Sequence, residues 1–195
     1  MNIGIDIDDT ISNTHEVLFG YAEKYTVEDL KREIKEPENK YLSGNGYCQR
    51  FHKWTTEEAD IFWKMYYETI IKKVTAKEFA KEVINKLRKE GNKIYLITAR
   101  FELPNCNIKQ ITIDWLKENE IEYDEIIFNA QDKQKVVKEK NIEIFIDDAI
   151  PNCKAVSEVG VKTYLMNSME NQGYEIPNVK RVYSWIHTEQ EIQKG

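Results

Sequence analysis

Apolar and polar positions alternate along this chain in two different rhythms. Ile3, Ile5 and Ile7 interleave with Gly4 and Asp6, a β-branched run that predicts a buried strand ending in Asp8-Asp9. The period then becomes helical for about eighty residues. Val17, Leu18, Tyr21 and Ala22 share one face of a helix predicted over Thr14 to Tyr25, with Ser12, Asn13 or Thr14 as its N-cap. A second short helix is expected from Val27 to about Lys35. Pro37, Gly44 and Gly46 then mark a mobile loop over 36–47. Thr55 or Thr56, followed by Glu58, caps a helix through about Ile71, and Ala76 to Glu90 forms another that Gly91 ends. Beyond Gly91, short apolar runs and helices take turns. Strands are expected near 93–97, 125–128, 143–146 and 161–165, and helices near 107–119, 132–140 and 151–158. Such alternation specifies an α/β fold with a parallel sheet flanked by helices on both faces.

Chemistry concentrates where these runs end. The first strand delivers Asp6, Asp8 and Asp9 to one edge, and Glu143-Ile144-Phe145-Ile146 lands on Asp147-Asp148 in the same way. Two carboxylates about 4 Å apart repel by roughly 4 kcal/mol at a protein-like effective dielectric. A hard divalent cation with oxygen ligands offsets that repulsion, and strand ends are where open α/β sheets place their ligands. A third run, Lys93 to Ile97, leads into Thr98-Ala99-Arg100. The Thr98 hydroxyl, the N–H groups that follow it and the Arg100 guanidinium suit a phosphate oxygen. Lys133 opens the helix expected over 132–140 and supplies a point cation.

In this order, Asp6-x-Asp8-x-Thr10, Thr98, Lys133 and Asp147-Asp148 resemble the motifs of the haloacid dehalogenase superfamily, in its phosphatase branch. The Ile-Thr-Ala-Arg and Ile-Asp-Asp segments and the ending Val182-Tyr183-Ser184-Trp185 narrow the resemblance to the 5′(3′)-deoxyribonucleotidases and their bacterial relatives. The resemblance implies a Rossmann-like core, 1–14 and 76–195, with an inserted helical C1 cap over 15–75. It implies Mg²⁺ held by Asp6, the Asp8 backbone carbonyl and the Asp147-Asp148 pair. Asp148 is favoured as direct ligand, although the residues themselves leave Asp147 open.

Residue types then outline a reaction. Asp6 attacks phosphorus in line and becomes an aspartyl-phosphate, while Asp8 protonates the leaving alkoxide and later activates water. Asp8 is therefore expected to have a raised pKa. Thr98, Ala99, Arg100 and Lys133 hold the phosphate, with a surface salt bridge as the alternative for Arg100. Asp9 is expected to be structural, Thr10 to bond within the first turn, and Asn152 to cap a helix rather than orient Lys133. The insertion is rich in aromatic residues between Tyr47 and Tyr67, most of them needed for its own packing. Phe51 and Trp54, three apart, are the candidates for base contacts by stacking.

Bulk properties exclude several classes. A length of 195 residues accommodates one core plus a modest insertion. A net charge of −6 argues against a duplex nucleic-acid surface but not against a mononucleotide. No run approaches the length of a membrane span, and with carboxylates from position 6 onward no leader is expected. Cys48, Cys106 and Cys153 are odd in number and unpatterned, as in a reduced cytoplasmic protein, and the dispersed His15, His52 and His187 make zinc improbable. The leading reading is a cytoplasmic nucleotidase acting on a small phosphate monoester, with a homodimer as an open option. A phosphatase for another metabolite, such as a sugar phosphate, is the runner-up. A non-catalytic Mg²⁺/nucleotide-binding module ranks third, because every catalytic position is filled.

Overall fold

The computed structural model of the chain describes residues 1–34, 47–104 and 106–194. Strands β1 (Asn2–Ile5), β2 (Lys93–Ile97), β3 (Glu125–Ile127), β4 (Ile144–Asp147), β5 (Lys162–Met166) and β6 (Val179–Val182) form one sheet. Every pairing is parallel, in the order β3-β2-β1-β4-β5-β6. The chain works outward from β1 to β3, then returns to β4 on the other side, so the order reverses between β1 and β4. Ile3, Ile5 and Ile7 are fully buried beneath helices α4 (Ala80–Lys89) and α8 (Trp185–Gln193) and the insertion that follows β1. At Gly4 a Cβ would lie 2.9 Å from Ile97 Cδ1 and 3.2 Å from Phe145, so the opposite face leaves room for hydrogen alone. Helices α5 (Ile108–Glu118), α6 (Lys133–Glu139) and α7 (Ile150–Ser157) connect the later strands.

The insertion contains α1 (Thr14–Lys24), α2 (Tyr47–Phe51) and α3 (Thr56–Lys73). Its two chain crossings are clasped together. The Asn13 N–H donates to the Thr75 carbonyl at 2.8 Å, the Lys77 N–H to the Ile11 carbonyl at 2.7 Å, and Ser12 bridges Ala76 antiparallel. Thr55 caps α3 through a reciprocal pair of bonds with Glu58, as the Thr-x-x-Glu spacing predicts.

Two expectations need correction. The helix expected over Val27–Lys35 is a five-residue π-helical turn, Tyr25–Asp29, closed by the Leu30 N–H on the Tyr25 carbonyl. Lys31 then turns to a φ of +53°, which ends it. The helix expected from Ala76 begins only at Ala80, because 75–77 are committed to the clasp and Phe79 is left-handed, with a φ of +63°. Strand β6 and helix α8 are additional to the expected elements. Val179-Lys180-Arg181-Val182 is too short and charged to show a period, and α8 buries only Trp185, Thr188 and Ile192. Trp185 Nε1 donates to the Thr10 carbonyl at 3.0 Å and ties the last helix to the end of the first strand segment. The loop expected over 36–47 falls almost wholly outside the described residues.

Candidate active site

The site is built where β1 and β4 end side by side. The Asp6 N–H still donates to the Ile146 carbonyl at 2.9 Å, so sheet bonding continues up to the first carboxylate. Lys133 is the first residue of α6, whose N-cap Asp132 accepts the Lys135 N–H at 3.0 Å. Its Nζ donates to Asp6 and, at 2.7 Å, to Asp147 Oδ2. Asp6, Lys133 and Asp147 are 5, 4 and 0% exposed, so this triad is a buried ion network and not a solvated surface pair. Asp147 is fully engaged: Oδ1 accepts the Ala149 N–H at 2.7 Å and Oδ2 the Asn152 amide at 3.0 Å. Asn152 thus steadies the lysine's partner. It caps no helix, contrary to expectation, because α7 starts after Ala149 without a side-chain cap.

One lysine serves several carboxylates. Burial, together with Asp147 and Asp8, raises the Asp6 carboxyl to about 7 despite the opposing pull of Lys133. Asp148 is pushed well above the usual range by burial and by the charges of Asp9, Asp147, Asp6 and Glu170. Carboxylate oxygens of Asp6, Asp147 and Asp148 lie within 4.8 Å of one another. An oxygen-only cluster with too little positive charge suits a hard divalent cation, with Asp6 and Asp148 the less occupied ligands.

Asp8 differs from its neighbours. Arg100 donates through Nε to Asp8 Oδ2 at 3.0 Å and through Nη2 to Oδ1 at 2.7 Å, and the Thr14 hydroxyl adds a bond to Oδ1 at 2.7 Å. Burial opposes the charged form, but Arg100 and Thr14 outweigh it and hold the Asp8 carboxyl below its ordinary value. The raised pKa expected of Asp8 is therefore corrected: its carboxyl is held low by Arg100 and Thr14. Arg100 is not a surface salt bridge: it is 2% exposed, with Nη1 on Thr112 Oγ1 at 3.1 Å, and it lines the same cavity as Asp6, Asp8 and Lys133. Thr98 is fully buried, and its hydroxyl accepts the Arg100 N–H at 3.1 Å. Ala99, Arg100 and Phe101, not Thr98, reach the cavity wall. Thr10 bonds within the first turn as expected, its N–H on the Ile7 carbonyl at 3.3 Å, while its buried hydroxyl has no partner among the described residues.

A cavity of about 400 Å³ opens above Asp6, Asp8, Lys133 and Asp148, walled by Leu18, Trp54, Trp63, Tyr67 and Phe101. Trp54 faces it from within the insertion's packing, its Nε1 donating to Thr26 Oγ1 at 3.0 Å and its ring edge-on to Tyr25 at 5.1 Å. Phe51 lies elsewhere. It packs edge-on against Phe19 at 4.7 Å and is not part of the wall, because α2 ends at Phe51 and the two candidates do not share a helical face. Phe101, stacked on Tyr67 at 5.1 Å, takes the exposed aromatic position instead. It directly follows the Thr98-Ala99-Arg100 turn, a cue the strand-end pattern offers but does not single out.

Asp9 and Glu170 also line the cavity. Asp9 Oδ1 accepts the His15 N–H at 2.9 Å, and burial raises its carboxyl to about 6. Glu170 meets the buried His15 Nδ1 at 2.8 Å, linking the loop after β5 to α1 of the insertion. No local pattern marks Glu170, since its partner is 155 residues away.

Comparison with known proteins agrees with this geometry. Residues 1–194 match the model of the 5′ nucleotidase, deoxy (pyrimidine), cytosolic type C protein family. A nucleotidase of Clostridium acetobutylicum is 25% identical over 186 residues, covering 95% of this chain and 90% of that protein. A haloacid dehalogenase superfamily hydrolase from Geobacter sulfurreducens superposes with a TM-score of 0.63 at 12% identity, covering 100% of this chain and 98% of the other. A haloacid dehalogenase family hydrolase from Deinococcus radiodurans, with bound phosphate and sodium, gives a TM-score of 0.66 at 11% identity, covering 99% of this chain and 95% of the other. These two likenesses bear on the fold. The match over 1–194 establishes that the chain belongs to the cytosolic type C 5′ nucleotidase family and is a phosphatase/nucleotidase-type hydrolase of the haloacid dehalogenase fold.

Proposed function

We propose that the protein is a Mg²⁺-dependent 5′(3′)-deoxyribonucleotidase that works in the cytoplasm on nucleoside monophosphates. The observation that carries this reading is the buried Lys133 shared by Asp6 and Asp147 at the floor of an aromatic-walled cavity. Asp6 is the nucleophile, and Lys133 screens the negative charge that converges on it. Asp8 exchanges the proton. An arriving phosphate dianion adds negative charge beside Asp8 and favours its protonated form, which the first displacement needs. Once the leaving group has gone, the Arg100 contact favours the carboxylate that draws a proton from water. Asp6, the Asp8 carbonyl and Asp148 are the residues to hold Mg²⁺, with Asp147 behind them fixing Lys133. When bound, the cation adds charge stabilisation of the transferring phosphoryl group.

The N–H groups around Thr98 and Ala99 complete the phosphate end, and the aromatic wall receives the base. The division into a core, 1–14 and 76–195, and a cap, 15–75, belongs to the same reading and is supported by the clasp between 11–13 and 75–77. Phosphate release across 5′- and 3′-(deoxy)nucleoside monophosphates and sugar phosphates, with and without Mg²⁺, tests it. Preference for deoxynucleotides, abolished by Asp6→Asn, is the expected result. Activity confined to sugar phosphates would keep the mechanism and overturn the substrate.

A further inference from the structure

Each nitrogen of the Arg100 guanidinium already has a protein partner: Nε and Nη2 on Asp8, Nη1 on Thr112. Thr112 is fully buried in α5 and donates its own hydroxyl to the Ile108 carbonyl at 2.8 Å, so the arginine is anchored to a helix of the core. The two Asp8 oxygens are used unequally. Oδ1 accepts from Thr14 at 2.7 Å, from Nη2 at 2.7 Å and, more weakly, from Nε at 3.3 Å. Among the described residues Oδ2 accepts only from Nε, at 3.0 Å, and the side chain stays 32% exposed and lines the cavity. A carboxylate oxygen has two lone-pair sites, so Oδ1 is filled and Oδ2 keeps one open.

We propose that Arg100 is a positioning residue that acts on the reaction through Asp8, fixing Oδ1 so that Oδ2 faces the reacting group, and that it does not bind the phosphate. The inference rests on Asp8 being the proton-exchanging group of the function proposed above. In the first displacement an Asp6 oxygen bonds to phosphorus as the ester P–O bond breaks. The ester oxygen keeps the electron pair and takes the proton from Oδ2. In the second, water bonds to phosphorus, returns a proton to Oδ2, and the Asp6 oxygen leaves with its electron pair. Proton transfer requires heavy atoms within about 3 Å, so a carboxylate held in place spares the transition state the cost of orienting it.

The test compares kcat/KM for dUMP, whose alkoxide leaving group needs a proton, with p-nitrophenyl phosphate, whose leaving group does not. This ratio reports only the steps up to phosphoryl transfer to Asp6. Should the wild type not hydrolyse dUMP, the nucleotide reading fails, and a sugar phosphate that it does hydrolyse serves as the alkyl substrate for the same comparison. Arg100→Lys keeps the buried charge but loses the fork. It should lower the alkyl value by about 10²-fold while the aryl value changes by no more than about threefold. Competitive inhibition by inorganic phosphate should stay at the wild-type level. Thr112→Val, which conserves shape and removes only the anchor, should shift the alkyl-to-aryl ratio in the same direction by a smaller factor. It keeps the claim testable should Arg100→Lys not fold. Equal losses on both substrates, with phosphate inhibition weakened alongside, would make Arg100 a phosphate ligand and overturn the proposal. Asp8→Asn calibrates the scale: if it depresses both substrates equally, Asp8 is not the proton donor and the proposal falls with it.

Discussion

The strand-end site and the helical insertion above it are held by different forces. Around Asp6, Asp8 and Asp147, sheet hydrogen bonds set the backbone, and charged side chains lock one another through Lys133 and Arg100. In the insertion, Tyr25, Trp54, Phe62 and Tyr66 are held ring against ring at centroid separations of 4.7 to 6.3 Å, and Tyr25, Trp54 and Tyr66 each add a neutral-donor hydrogen bond at the ring's edge rather than a buried ion pair. The first arrangement fixes individual atoms to within a hydrogen bond. The second fixes a shape, which several aromatic sequences would fill equally well. Reaction chemistry needs the former and recognition of a planar group tolerates the latter, so the two tasks divide between the two regions.

Asp6→Asn is the sharpest way to expose this division. It should reduce kcat/KM by more than about 10⁴-fold on every substrate alike, since the nucleophile is indifferent to what the phosphate carries. Substrate-dependent losses would mean that the strand-end site also selects. Lys133→Met ranks next. It leaves the Asp6 and Asp147 carboxylates buried without their counter-charge, and should cost about 3–5 kcal/mol in urea unfolding without divalent cations. An unchanged midpoint would show that the triad is not what holds the strand ends together.

Phe101→Ala approaches the division from the other side. Phe101 is 37% exposed, so its removal should leave the fold intact. It should raise KM for a nucleotide by the equivalent of about 1–3 kcal/mol of lost stacking, and leave a small phosphate ester unaffected. A fall in kcat with unchanged KM would blur the boundary between the regions.

The smallest effect lies where the regions meet, at His15 and Glu170. Burial lowers the His15 pKa, but the Glu170 carboxylate outweighs it and holds the imidazole above its ordinary 6.5. A group raised on folding contributes its stability below the unfolded value and loses it as pH rises through the folded one. His15→Phe should therefore destabilise by on the order of 1 kcal/mol at pH 5.5 and by much less at pH 9. A pH-independent difference in melting temperature would mean that the contact is one of packing alone.

The same contrast explains what could be read from the sequence. Strands ending in carboxylates and the Thr98-Ala99-Arg100 turn announce themselves because an apolar run stops at polar residues, and Asp6, Asp8, Ala99, Arg100, Lys133 and Asp148 line one cavity beside the β1–β4 switch, with Thr98 buried behind it. What Arg100 touches was not legible, since Asp8 and Thr112 reach it only through the fold. The spacing of Phe51 and Trp54 places them on one face only if the helix continues, but α2 ends at Phe51, and of the two Trp54 alone reaches the cavity. Glu170 arrives on the turn Met169–Asn171, held by Arg181 of β6, and no local pattern records that long-range contact.

The central claim is that Asp6 carries the phosphoryl group. Enzyme quenched with acid during turnover and reduced with borohydride tests it directly, because an acyl phosphate is reduced to the alcohol and a free carboxylate is not. Peptide mapping should find the alcohol at position 6 alone, dependent on substrate. An active enzyme with position 6 unmodified, or with the alcohol at Asp8, Asp9, Asp147 or Asp148, would contradict the account.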